Sequence, residues 1–444
     1  MQSIFNIKQL LITILSSIVL SISCYGQNYT SYFTGNQTDT ITNPNGGITM
    51  MGGATENDEA MKWFLQRANG GDILVLRTSG SDGYNNYMYS SLGVTVNSVE
   101  TIVFNNASAS SEPYIHQRIQ KAEAIWFAGG NQWNYISYWR NTPIDSLIND
   151  GITKRQIVIG GTSAGMAILG GYYFSAENGS ITSSTALANP YHNRVKVDST
   201  LFITNKYLKD VITDTHYDNP NRKGRHMVFL ARILTDNGVK AKGIACDEYT
   251  AVCIDTNGIT RVFGQYPTYD DNAYFIQTNC ELSSVSPEKC TSGNPLNWNL
   301  TGKAIKTYVV KGTNSGNNTF NLNDWETGVG GNWKHWYVDN GTFYEVTGTQ
   351  IHCNPTSNSD FKEHIKAKIS PNPANNYFQI RFYNSTEEIF SIEILNSMGQ
   401  ILKTFQISTD AKTYDIKLLK SGIYLIRLKT KTGRVYTEKL IIQK

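Results

Sequence analysis

The sequence has little net charge for its size: 39 Lys and Arg against 36 Asp and Glu leave +3 over 444 residues. A balance so near neutral gives no basic field for nucleic acid or an acidic membrane, so neither is expected as a partner. Charged residues are also sparse at 17%, against 40% hydrophobic, which excludes a disordered composition and describes a folded chain. None of the six cysteines lies in a Cys-x-x-Cys pair, so structural zinc and dithiol redox chemistry have no ligand pattern here. No metal or organic cofactor is expected.

The N-terminus holds the one long apolar run. Lys8 precedes Leu10 to Ile22, and small residues follow around Ser23 and Gly26, the order of a secretory signal over residues 1–26. Cys24 opens a lipoprotein alternative, against which stands the Ser-Ile-Ser before it. An oxidising compartment then allows disulfides. Cys280 and Cys290, which bracket a short loop, are a candidate pair, the pairing staying open, and Cys246 and Cys253 read as one buried strand pair.

From Gly46 to about Leu169, apolar runs of strand length (48–53, 72–80, 101–105, 124–130, 156–165) alternate with helical stretches at 58–68 and 133–148. Strands apolar on both faces and separated by helices predict a parallel sheet covered on both sides, with its site at the carboxyl edge. After about 265 the chain turns Asn-, Gly- and Trp-rich with short strands, and Asn340-Gly341 between aromatic runs predicts a hairpin. The expected order is a signal at 1–26, a catalytic domain at 27–265, a β-rich extension at 266–353, a polar linker at 354–367 and a small β-sandwich at 368–444. In the last segment Ile392, Ile394, Leu395, Ile423, Leu425, Ile426 and Leu428 supply the alternating apolar residues.

Gly161-Thr162-Ser163-Ala164-Gly165 follows an apolar strand and precedes a helix-compatible run, the setting of a strained nucleophile elbow. A serine hydroxyl needs a base, and His216, beside Asp214 in a polar loop, is the chosen imidazole among seven histidines. Ala164 N–H is the natural first donor to an oxyanion.

FAGGNQ at 127–132, GGTSAG at 160–165, DTHY at 214–217 with Arg222 and Gly224-Arg225, and GIACDEYTAVCI at 243–254 together resemble the cyanophycinase branch of the S51 serine peptidases. That resemblance implies a flavodoxin-like α/β sandwich of the class I glutamine amidotransferase type, a Ser-His-acid triad, and peptides with aspartyl linkages as substrates. By carry-over Ser163 attacks, His216 moves the proton, Gly130 and Ala164 hold the oxyanion, and Gln132, Asp214, Arg222 and Arg225 hold substrate. For the acid, Glu177 is placed ahead of its rival Glu248 because it follows the elbow at the family's spacing. One departure stands out: where the family carries a further arginine before the one matched by Arg222, this chain reads Asp218-Asn219-Pro220-Asn221.

The C-terminal segment, with its Pro-Asn-Pro opening, Asn-Ser-Met-Gly-Gln turn and Ser-Gly-Ile-Tyr-Leu strand, resembles the type A sorting domain of the type IX secretion system of Bacteroidota. This implies export across the outer membrane, a secreted or cell-surface location, and the secretion machinery as a partner beside the peptide substrate. A homodimer stays open. Two other classes share features of the sequence: a non-catalytic adhesion protein on the same scaffold, and an α/β-hydrolase esterase, which normally places its histidine last.

Overall fold

A computed structural model describes residues 27–199, 202–353, 366–383, 389–396, 400–406, 413–430 and 435–444. The expected signal at 1–26, with Cys24, and most of the expected linker lie outside the described residues. The chain divides into two compact units between His352 and Cys353.

The first unit is built on a ten-stranded sheet. Its strands in chain order are β1 (Tyr29–Gly35), β2 (Ile48–Met51), β3 (Asp72–Arg77), β4 (Ser98–Phe104), β5 (Ala124–Phe127) and β6 (Val158–Thr162), later joined by four more. The central run β4-β3-β5-β6-β2 is parallel throughout. Every residue of β2, β4, β5 and β6 is buried, which explains strands without polar alternation: both faces are covered. Side chains alternate between the two layers. Leu74, Leu76, Ile125 and Phe127 pack under the helices Pro113–Lys121, Gln132–Trp139 and Pro143–Asp150, whereas Ile73, Val75 and Trp126 meet Met61, Phe64 and Leu65 of the helix Asp58–Arg67.

The single helix expected at 133–148 is two. Arg140 turns extended, Asn141 takes φ 59°, and Thr142 caps a new helix with Pro143 in its first turn. Proline lacks the N–H a continuous helix would need and pushes its predecessor out of the helical region.

Two short strands follow, β7 (Tyr173–Phe174) and β8 (Val197–Asp198), then β9 (Val211–Asp214), β10 (Lys242–Cys246), β11 (Ala251–Ile254) and β12 (Ile259–Tyr266). The later segment contributes β13 (Asn272–Thr278), β14 (Ile305–Lys311), β15 (Asn318–Asn321), β16 (Gly328–Val329), β17 (Gly331–Asp339) and β18 (Thr342–Thr347). It extends the first sheet through β11-β12-β15-β16 and builds a second, six-stranded sheet β18-β17-β14-β13-β10-β9. The β17–β18 turn at Asn340 and Gly341 has positive φ at both residues, 43° and 80°, as a tight hairpin requires.

The cysteine expectations need correction. Cys290 is free and buried, while Cys280 and Cys353 are disulfide-bonded. Cys290 belongs to the apolar core beneath the second sheet. Cys246 and Cys253, both free, lie on β10 and β11, which belong to different sheets.

The second unit, taken by itself, has the sheets β19-β20-β23 and β22-β21-β24-β25, over Lys366–Ser370, Tyr377–Tyr383, Ile389–Leu395, Ile401–Gln406, Tyr414–Asp415, Gly422–Thr430 and Val435–Ile442. Phe378, Ile392, Ile394, Ile426, Leu428 and Leu440 form its core. A register shift at Ile394 and Leu395 lets consecutive residues both be buried, whereas Ile423 and Leu425 fall on the outward face of β24 and are exposed. Part of the expected Asn-Ser-Met-Gly-Gln turn, 397–399, lies outside the described residues.

Candidate active site

Three chain crossings converge at the carboxyl end of β2. Ser163, one residue past β6, donates its N–H to Met51 O at 3.0 Å, and His216, two past β9, donates its N–H to Gly52 O at 2.7 Å. Consecutive carbonyls of one strand end therefore hold the two backbones. The side chains meet: Ser163 Oγ lies 2.8 Å from His216 Nε2.

The serine stands at φ 53° and ψ −117°, a left-handed conformation that costs energy outside glycine and is held by its neighbours. Those neighbours are small because nothing larger fits. A Cβ on Gly161 would lie 2.5 Å from the Gly165 carbonyl carbon, and one on Gly165 would lie 2.0 Å from Phe127 O. The Gly-x-Ser-x-Gly spacing thus lets the turn close against β5 while the hydroxyl points outward.

The carboxylate against the imidazole is Glu248, with Oε1 2.6 Å from His216 Nδ1. Glu177, the acid placed first from sequence, is half exposed and lies 3.8 Å from Lys196 Nζ on the surface. Strand register explains the choice. β9 and β10 are parallel with Asp214 opposite Ala245, so the chain leaves both strands side by side, with His216 two residues beyond the end of β9 and Glu248 two beyond the end of β10. Tyr217 N–H donates to Cys246 O at 3.2 Å and fastens the two exits together. The hydrogen bond from His216 is the main reason the Glu248 carboxyl is held below its usual range, a second from Asn219 adding to it against partial burial.

Sequence reasoning missed three contributors. A Cβ on Gly53, at φ 118°, would lie 2.4 Å from the His216 ring, so this glycine forms the floor on which the imidazole rests. Gly53 follows a strand end in the sequence, but its contact with the ring is not written there. Asp218 Oδ1 accepts the Glu248 N–H at 2.9 Å, and Asn219 Nδ2 donates to Glu248 Oε2 at 3.3 Å. Both belong to the segment noted only for lacking an arginine.

Beside the serine is a cavity of about 230 Å³ lined by Gly130, Gln132, Phe174, Ser180, Arg222 and neighbouring residues. Gln132 is tethered, its Nε2 donating to Phe174 O at 2.8 Å. Asp214 and Arg225 are buried and paired through two hydrogen bonds, one of them Arg225 Nε to Asp214 Oδ2 at 2.8 Å. Burial pushes the Asp214 carboxyl up, yet the charge and hydrogen bonds of Arg225 outweigh it and hold it below its usual range. Arg222 differs: among the described residues its Nε has no hydrogen-bond partner, and burial followed by the Arg225 charge lowers its pKa to about 10. A guanidinium lining a small cavity suits a carboxylate. Among the described residues, no group of three or more His, Cys, Asp or Glu is placed to hold a metal ion.

Residues 51–262 match the family model described as Peptidase family S51, and residues 368–443 match the Secretion system C-terminal sorting domain. Among curated proteins, a cyanophycinase of Synechococcus elongatus is 25% identical over 230 residues, covering 49% of this chain and 66% of that protein. A cyanophycinase of Geminocystis herdmanii is 27% identical over 147 residues, covering 33% of this chain and 48% of that one. The chain therefore spans about two thirds or less of these relatives' length. Among solved structures, a peptidase from an acI-B1 Actinobacterium aligns at 15% identity and TM-score 0.37 over 50% of this chain and 89% of that one. A putative peptidase E protein from Listeria monocytogenes aligns at 16% identity and TM-score 0.33 over 50% and 98%.

Proposed function

We propose that this chain, similar to the S51 peptidases over residues 51–262, is a serine-type exopeptidase acting on aspartyl peptides, with Ser163, His216 and Glu248 as its triad. The observation that carries the reading is the unbroken relay from Ser163 Oγ to His216 Nε2 at 2.8 Å and from His216 Nδ1 to Glu248 Oε1 at 2.6 Å. In this mechanism Ser163 Oγ attacks the scissile carbonyl carbon while Nε2 accepts its proton. Glu248 keeps the Nδ1 proton in place and stabilises the imidazolium.

The tetrahedral oxyanion is taken by the N–H groups of Gly130 and Ala164. Ala164 opens the short helix Ala164–Ala167, so its N–H has no acceptor within that helix. Collapse passes the proton from Nε2 to the leaving amine and leaves an acyl-enzyme. Water then attacks with His216 as base, and the acid product departs.

The cavity suits one end of a peptide rather than a long chain, and Arg222 offers it a guanidinium for an aspartyl carboxylate. Asp214 and Arg225 line the same cavity, but their charges are spent on one another. The similarity to cyanophycinases favours β-aspartyl-arginine linkages as the first peptides to try. The sorting-domain match at 368–443 indicates export, and type IX delivery to the surface or medium is the route proposed.

Hydrolysis of defined α- and β-aspartyl dipeptides, with Ser163→Ala as control and covalent capture by a fluorophosphonate, tests the reading. Product release lost in Ser163→Ala together with labelling of Ser163 is expected; equal turnover by the variant rejects it.

A further inference from the structure

Glu248 has two carboxylate oxygens, and the relay uses one. Oε1 accepts from His216 Nδ1, and Oε2 accepts from Asn219 Nδ2 at 3.3 Å. The backbone beneath is tied as well, with Glu248 N–H donating to Asp218 Oδ1 at 2.9 Å. Asn219 is itself fixed relative to the ring, because its N–H donates to the carbonyl of His216 at 3.3 Å. One short loop therefore carries the base, grips the acid's second oxygen and holds the acid's backbone. The cation facing the pair is Arg222, and the nearby acids are Asp218 and Asp247.

A glutamate has one more rotatable bond than an aspartate and is only partly enclosed here, its side chain 18% exposed. Left to itself it would sample conformations in which Oε1 leaves Nδ1, and the imidazole would lose both its tautomer and its aim. An amide donor to the second oxygen removes that freedom without adding charge.

We infer that Asn219 is a positioning residue, whose amide fixes Glu248 Oε2 so that Oε1 stays on His216. The inference rests on the proposed triad and assigns the Asp218-Asn219 segment to the acid rather than to the substrate. Asn219 touches no reacting atom, so its loss is felt in kcat and not in substrate affinity.

The test uses the full chain with Asn219→Ala and the isosteric Asn219→Asp, reading β-aspartyl-arginine hydrolysis and the rate of Ser163 labelling by a fluorophosphonate against pH. Asn219→Ala is expected to lower kcat and the labelling rate about ten-fold, the size set by one hydrogen bond to a charged group. Its KM stays within about two-fold, since substrate binding does not pass through the acid. Asn219→Asp keeps the shape but places a second carboxylate against Glu248. Negative charge favours the protonated forms of its neighbours, so the acid limb of both profiles moves to higher pH.

An Asn219→Ala rate within two-fold of the parent overturns the inference. So does a raised KM with kcat intact, which would make Asn219 a substrate contact, or an Asn219→Asp profile that falls without shifting. If Ser163 in the parent chain takes no label, the triad reading fails and this inference with it; labelled parent and unaffected variants remove the inference alone.

Discussion

Ser163 and His216 belong to distant parts of the chain yet hang from adjacent carbonyls, Met51 O at 3.0 Å and Gly52 O at 2.7 Å. The distance between hydroxyl and imidazole is thereby set by one peptide unit at the end of β2. A base held on a loop of its own would drift. Here backbone hydrogen bonds to a buried strand supply the rigidity that catalytic geometry demands.

Gly53 follows directly, and its place under the imidazole makes Gly53→Ala a sharp test. The methyl group would meet ring atoms at 2.4 Å, and φ of 118° is strained for any residue with a Cβ. The ring must tilt away from Ser163. A displacement of about 1 Å costs on the order of 100-fold in rate. We expect kcat on an aspartyl dipeptide to fall by that order, with far-UV circular dichroism unchanged. A variant with full activity would show that the ring does not rest on this glycine during turnover.

The acid is tested by comparing two glutamates. Glu248→Gln keeps the size but turns an acceptor-only group into an amide that can favour the wrong imidazole tautomer, and the loss expected is on the order of 10³-fold to 10⁴-fold in kcat. Glu177→Gln removes one surface ion pair with Lys196 and should change kcat less than about two-fold. Steady-state kinetics of both variants decides. The reverse ranking would return the role to Glu177.

How far the site could be read in advance depended on how local each signal was. The elbow is five consecutive residues, and its constraint, glycine against backbone at Gly161 and Gly165, is written within them. The parallel sheet was legible from strands apolar on both faces. Spacing put Glu177 ahead of Glu248, whereas Glu248 is the carboxylate against His216, because that contact depends on the register of β9 on β10, a pairing across an intervening helix that no spacing encodes. The helix break at Asn141 could have been found from Pro143 alone. The Cys280 to Cys290 expectation took sequence proximity for spatial proximity, while apolar packing had already claimed Cys290.

Asp247, next to the acid, should make stability depend on pH in an unusual direction. Burial pushes its carboxyl up to about 7, against hydrogen bonds from Asn272 and Tyr274, and its Oδ1 has no partner among the described residues. An unfolded aspartate titrates near 4. Between about pH 4 and pH 7 the folded chain thus holds the proton that the unfolded chain releases, and stability falls as pH rises through that window. Asp247→Asn keeps an acceptor for Asn272 and cannot ionise. It should unfold like the parent at pH 4 and be more stable at pH 8, by about 1–3 kcal/mol. Urea denaturation at the two pH values measures this, and a parent whose Asp247 contribution is flat between them would contradict it.

Arg222 carries the substrate-class proposal and can be tested apart from the chemistry. Arg225 is committed to Asp214 in a buried pair, whereas the Arg222 guanidinium faces the cavity with its Nε unpartnered among the described residues. A carboxylate entering there can accept two hydrogen bonds from the planar fork, which an ammonium on a flexible stem does not reproduce. Arg222→Lys should therefore raise KM for a β-aspartyl dipeptide by roughly 10-fold to 100-fold, the worth of charge-assisted hydrogen bonds. The analogue whose free aspartyl α-carboxylate is replaced by a carboxamide should bind the parent poorly and be nearly indifferent to the substitution. Comparing kcat/KM for the two peptides in parent and variant isolates the interaction as a double difference. Equal losses on both peptides would mean that Arg222 supports the loop rather than the ligand, and the preference for aspartyl substrates would need another source.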